Sequence, residues 1–137
     1  MEGIKVLLVD DEEEFVVTLA ERLRLRGIEA LVAMDGDEAL AKVQDEAPQV
    51  VVLDVMMPGT SGIDVLQHLR RRHPEVQVIL LTGRGSTKEG IEGMRLGAFD
   101  FLMKPVKIEE LIRKLEEAAK PGAGSSGESE GTGRDST

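Results

Sequence analysis

The chain has 137 residues, 41% of them apolar, no cysteine, and 26 acidic against 17 basic side chains for a formal net charge of -9. That length and apolar share suit one domain with one real core, and the missing cysteine excludes disulfides, thiolate metal sites and cysteine nucleophiles. The acid excess argues against nucleic acid and anionic lipid as direct partners, and no apolar run reaches the roughly 18 residues of a membrane span or forms a signal peptide, so a cytoplasmic protein is expected.

Short apolar runs alternate with helical patterns along the chain. Ile4 to Val9 is Val/Leu-rich and nearly continuous, as buried parallel strands are. Phe15, Leu19 and Leu23, with Val16 and Ala20, then recur at helical spacing up to a stop at Gly27. A second strand over 29–33 precedes a helix near 37–46, and a third over 50–53 precedes a helix over 62–72. A fourth strand over 76–81 leads to a helix over 86–96, closed by Gly97. A fifth over 99–103 leads to a helix over 107–119. Asp11-x-x-Glu14, Asp35-x-x-Glu38 and Ser86-x-x-Glu89 resemble capping boxes. Five strands alternating with five helices predict an α/β fold, a parallel sheet with right-handed crossovers and helices on both faces. Beyond Lys120 the Gly/Ser-rich segment PGAGSSGESEGTGRDST has no large apolar side chain. Residues 1–120 therefore read as the domain, and 121–137 as a disordered tail or linker.

Chemistry concentrates where the runs end. Val9 leads into Asp10 and Asp11, Leu53 into Asp54, Leu81 into Thr82 and Met103 into Lys104. In open parallel sheets the carboxyl ends of the strands form the ligand crevice. Three carboxylates gathered there repel one another by up to ~4 kcal/mol per close pair at an effective dielectric near 20. A hard divalent cation such as Mg²⁺ relieves that repulsion and lets a carboxylate act as nucleophile on a phosphoryl group. Lys104 and Thr82 supply groups that can hold phosphoryl oxygens, and Gly83 leaves room for them.

These residues carry a resemblance. Asp10-Asp11 after the first strand, Asp54 before Met56-Met57-Pro58-Gly59, Thr82-Gly83, and Lys104-Pro105 together resemble the receiver domain of two-component response regulators, of the chemotaxis-Y kind, over roughly residues 3–120. The resemblance implies a flavodoxin-like (βα)5 fold with strand order 2-1-3-4-5. It implies Asp54 as the site of phosphorylation, and Asp10, Asp11, Asp54 and the Met56 backbone carbonyl as Mg²⁺ ligands. Lys104, Thr82 and Gly83 would bind the phosphoryl group, Thr82 and Phe101 would act as switch residues, and the Lys104-Pro105 bond would be cis. The partner implied is a sensor histidine kinase or phosphotransfer protein. The change would pass to an unknown downstream effector through the face of helix four, strand five and helix five, where homodimers also form on phosphorylation.

Phe101 stands where Tyr is common in the family, so it can swing but has no hydroxyl. Met56 and Arg84 occupy positions that resemble tuners of phosphoryl lifetime. Thr82 to Pro105 looks similar to receivers that precede ATPase-type transcription activators, so a larger regulator is one expectation and a stand-alone receiver the other. Gly90 and Gly93 weaken the fourth helix by up to ~1 kcal/mol each, which suits a surface that rearranges. Plainer readings cover the rest. Glu12, Glu13 and Glu14 read as acids at a helix start. His68 and His73 read as exposed helix residues, Arg70-Arg71-Arg72 as a solvated face, and Met56-Met57 as loop packing. A phosphohydrolase would need Asp-x-Asp after the first strand, and a flavin binder a hydroxyl- and Gly-rich loop there. Neither is present in Asp10-Asp11-Glu12, and the protein is expected not to be an enzyme acting on outside substrates.

Overall fold

A computed structural model describes residues 3–57, 59, 61–83 and 85–121. Strands and helices alternate as β1 (Lys5–Val9), α1 (Glu13–Leu25), β2 (Glu29–Ala33), α2 (Gly36–Glu46), β3 (Val50–Asp54), α3 (Gly62–Arg72), β4 (Gln77–Thr82), α4 (Thr87–Arg95), β5 (Asp100–Met103) and α5 (Ile108–Ala119). The sheet runs β2-β1-β3-β4-β5 with every neighbouring pair parallel. This is the flavodoxin-like order that the resemblance to receiver domains implies.

Alternation along each strand divides the core in two. Val6 and Leu8 of β1, Val50 and Val52 of β3, and Ile79 and Leu81 of β4 face α1 and α5, which answer with Val16, Leu23, Leu111 and Leu115. Leu7 and Val9, Val51 and Leu53, and Val78 and Leu80 face the opposite way, toward Val43 of α2 and Val65, Leu66 and Leu69 of α3. With ~1.5–3 kcal/mol for each fully buried Val or Leu, these two layers dominate the fold and set its register. That register places Val9 beside Leu53, Asp54 beside Leu81 and Thr82 beside Met103, so the polar strand ends share one edge.

Helix α4 packs differently. Its buried positions are Gly90 and Gly93. A Cβ at Gly90 would lie 2.9 Å from Thr82 Cγ2 and 3.1 Å from Phe101 Cδ2, and one at Gly93 would collide with Leu80. The two glycines thus let the helix backbone approach β4 and β5, a packing role that helix propensity does not reveal.

The caps depart in part from the sequence reading. Asp35 accepts from the Glu38 amide at 2.8 Å, as expected. Helix α1 instead has Glu12 at its N-cap with no side-chain cap bond, and the Glu12 amide donates to Asp10 Oδ1 at 2.9 Å. Ser86 turns back to Gly83 instead of capping α4. Ser61, unmarked in the sequence reading, caps α3 through the Asp64 amide at 3.2 Å. His68 and His73 are half-buried rather than exposed. Arg70 donates to the Val76 carbonyl at 2.8 Å, while Arg71 and Arg72 are exposed. Met57 packs into the core, but Met56 is 56% exposed. Among the described residues no helix is long and apolar enough to cross a membrane. Arg84, and the tail beyond Pro121, lie outside the described residues.

Candidate functional site

The β1–α1 loop builds the floor of the site. The Asp10 amide donates to the Ala33 carbonyl at 3.1 Å, tying the loop to β2. The Asp10 side chain is buried, and its Oδ1 accepts from the Glu12 amide in a tight Asx turn. Asp54 closes β3 in the same manner, its Oδ1 accepting from the Met56 amide at 3.1 Å. It too is buried, at 5% exposure, whereas Asp11 is exposed at the rim. From the far side, Lys104 is anchored by its amide to the Thr82 carbonyl at 2.7 Å.

Asp10, Asp11 and Asp54 each bring one carboxylate oxygen within 4.8 Å of the others. Lys104 Nζ lies 2.9 Å from Asp10 Oδ2, 3.1 Å from Glu12 Oε1 and 3.5 Å from Asp54 Oδ2. It also sits 4.7 Å from the centre of the Phe15 ring. Glu12 and Phe15 are the partners sequence reasoning missed. Glu12 reads as a helix-start acid, yet its carboxylate crosses to a lysine 92 residues away.

Burial raises the Asp54 carboxyl from 3.8 to about 6; the Asp10 charge adds to this, and the Met56 amide and Lys104 oppose it. At neutral pH Asp54 is therefore mostly ionised yet more basic than an ordinary carboxylate. Burial acts to lower Lys104, but its close pairing with Asp10 and Glu12 and the charges of Asp10 and Asp54 outweigh it. The ammonium is held well above the usual lysine range.

The donor set fits a hard cation. Asp10 Oδ2 is buried and makes no well-aligned hydrogen bond, its contact with Lys104 being an ion pair. Three carboxylates facing one ammonium leave the cluster negative, and oxygen ligands of this kind suit Mg²⁺. The acidic cluster can thus hold a metal ion.

Lys104 thus meets the acidic cluster directly, while Thr82, Gly83 and Phe101 have their contacts elsewhere. Thr82 is fully buried, and its hydroxyl points toward β5, 3.0 Å from Met103 Sδ and 3.5 Å from the Leu102 carbonyl. The Gly83 amide is taken by Ser86 Oγ at 2.7 Å, and a Cβ at Gly83 would meet open space. Phe101 is half-buried beside Gly90. The Lys104-Pro105 bond is cis.

Comparison with known proteins agrees with this geometry. The sequence profile of the response regulator receiver domain matches residues 6–116. The transcriptional regulatory protein CpxR of Klebsiella pneumoniae is 45% identical over 111 residues, covering 81% of this chain and 47% of the relative. The receiver domain of the Francisella response regulator 1452 superposes with a TM-score of 0.79 at 36% identity, covering 87% of this chain and 98% of that one. NtrX from Brucella abortus, solved in complex with ADP, superposes with a TM-score of 0.83 at 33% identity, covering 95% of this chain and 30% of that one. The chain spans about half the length of the curated relatives it matches. It belongs to the response regulator receiver domain family of two-component signalling.

Proposed function

We propose that Asp54 is the phosphoacceptor of a two-component switch, charged by a sensor histidine kinase or a phosphotransfer protein in the cytoplasm. The observation that carries this is the convergence of Asp10, Asp11, Asp54 and Lys104 at one sheet edge. An ionised Asp54 oxygen forms a bond to phosphorus while the bond from phosphorus to the donor's leaving group breaks. No proton has to leave Asp54 first. Mg²⁺ held by the carboxylates of Asp10, Asp11 and Asp54 and the Met56 carbonyl would supply positive charge against the phosphoryl oxygens. Lys104, already aimed at Asp54, pairs with the phosphoryl group once Asp54 loses its own charge to the new acyl-phosphate (mixed anhydride) bond.

Relay follows from the packing around Thr82. Its hydroxyl must turn from Met103 and Leu102 to reach a phosphoryl oxygen, and its methyl group borders Gly90, which Phe101 also flanks. Such a rotation presses on α4 and so on the α4–β5–α5 face, where Ile91, Met94 and Met103 stand exposed. That face would meet the downstream effector or a second copy of the chain. Residues 1–120 act as a regulatory domain that assists only its own phosphorylation and dephosphorylation. The similarity to the transcriptional regulatory protein CpxR, and to NtrX, of which the chain covers 30%, favours a place within a longer regulator.

Incubation with Mg²⁺ and acetyl phosphate, followed by intact-mass measurement, tests the acceptor. One added phosphoryl group is expected in the wild type and none in Asp54→Asn or in the presence of a chelator. An undiminished gain in Asp54→Asn would place the acceptor elsewhere.

A further inference from the structure

Lys104 is shared between the site and its rim. Asp10 and Asp54 approach the ammonium from below, both buried. Glu12 approaches at 3.1 Å with a side chain that is 64% exposed, against 19% for Lys104. Its backbone is fixed at both ends, the amide donating to Asp10 Oδ1 and the carbonyl accepting from Val16 at 3.0 Å. Its carboxylate makes no cap bond to α1 and so serves no helix. Glu12 stands at the exposed edge of a site whose acceptor carboxylate is buried, and a phosphoryl donor carries negative charge of its own.

We propose that Glu12 is a positioning residue that competes with the incoming phosphoryl group for the Lys104 ammonium. Its carboxylate keeps Lys104 in place while the site is empty of phosphate, and must surrender it before the phosphoryl group is bound. The cost falls hardest on donors of high negative charge. This rests on Asp54 being the acceptor.

The test compares wild type, Glu12→Gln and Glu13→Gln with Mg²⁺ and two donors of different charge. Acetyl phosphate is doubly charged at neutral pH, and phosphoramidate singly. Glutamine keeps the length and an oxygen acceptor for Lys104 but removes the charge. Glu13 removes a charge from the same helix start but has no ion pair among the described residues. An exposed ion pair is worth up to ~1 kcal/mol, so Glu12→Gln should react about two- to fivefold faster with acetyl phosphate. The gain with phosphoramidate should be smaller, and Glu13→Gln should match the wild type with both.

A merely structural Glu12 would shift both donors alike, so an unchanged ratio between donors overturns the proposal. So does a slower Glu12→Gln, or an equal gain in Glu13→Gln, which would reduce the effect to net charge. If the wild type itself gains no phosphoryl group, the acceptor reading fails and the competition fails with it. Labelled wild type with an indifferent Glu12→Gln removes the competition alone.

Discussion

Gly62→Ala is expected to destabilise the protein by about 2 kcal/mol and, with Asp54 as the proposed acceptor, to slow its phosphorylation as well. The new methyl group would collide with the Asp54 carbonyl oxygen and the Val55 Cα, both backbone atoms at the end of β3. The Gly62 amide also donates to the Val55 carbonyl at 3.2 Å, which holds the start of α3 against that strand end. A flexible side chain could yield, but a central strand packed on both faces cannot. Overpacking costs reach ~3 kcal/mol, and better helix propensity returns at most ~1 kcal/mol. Any relaxation must displace Asp54, which is why the chemistry should suffer with the fold. Urea denaturation followed by circular dichroism reads the first effect, since the chain has neither Trp nor Tyr. Gly83→Ala is the control: its Cβ would enter open space, so a shift within ~0.5 kcal/mol is expected. Equal stabilities for Gly62→Ala and the wild type would show that β3 and α3 can part freely.

Asp54→Asn should stabilise the chelator-treated protein, and only above acid pH. The folded state raises the Asp54 carboxyl from 3.8 to about 6, chiefly by burial. Between those values the folded protein binds more protons at Asp54 than the unfolded chain does. Stability tied to this group is therefore complete below about pH 4 and is lost as pH rises through about 6. Two pKa units correspond to ~3 kcal/mol. Asparagine does not ionise, so the variant should match the wild type near pH 4 and exceed it by up to ~3 kcal/mol at pH 7. The comparison between the two proteins cancels the titration of carboxylates remote from the site, which both retain. Mg²⁺ should narrow the gap at pH 7 by binding the wild-type cluster in preference to the variant. A difference that is flat from pH 4 to 7, or that favours the wild type at pH 7, would contradict the desolvated setting of Asp54. The two expectations join stability to function. The carboxylate that weakens the empty fold is the one proposed to attack phosphorus.

Much of this is legible in the order of residues. Strand and helix periods are local, so all five of each can be read directly, with boundaries off by about a residue. Asp10, Asp54 and Lys104 announce themselves as polar residues closing apolar runs, because a parallel sheet leaves its carboxyl edge open to solvent. The caps are read less well. Asp11 and Ser86 have the right neighbours for capping boxes, but the Asp10 turn shifts the start of α1 to a Glu12 N-cap, and the Gly83 loop takes the Ser86 hydroxyl. Gly90 and Gly93 look like weak points of a helix. In the structure they are contact points, since only a bare backbone fits against Thr82, Phe101 and Leu80.

What the chain order determines, then, is which chemistry is available and on which edge it must gather. It does so because hydrophobic period and strand-end polarity are properties of neighbours in sequence. What the tertiary structure alone decides is how that chemistry is divided. Lys104 could pair with any of several acids; packing gives it to Asp10, Glu12 and Asp54 at once. Thr82 could face the cleft or the sheet, and packing turns its hydroxyl to Met103. Such choices depend on distances between segments up to 92 residues apart, and those distances exist only once the two apolar layers have closed on the sheet.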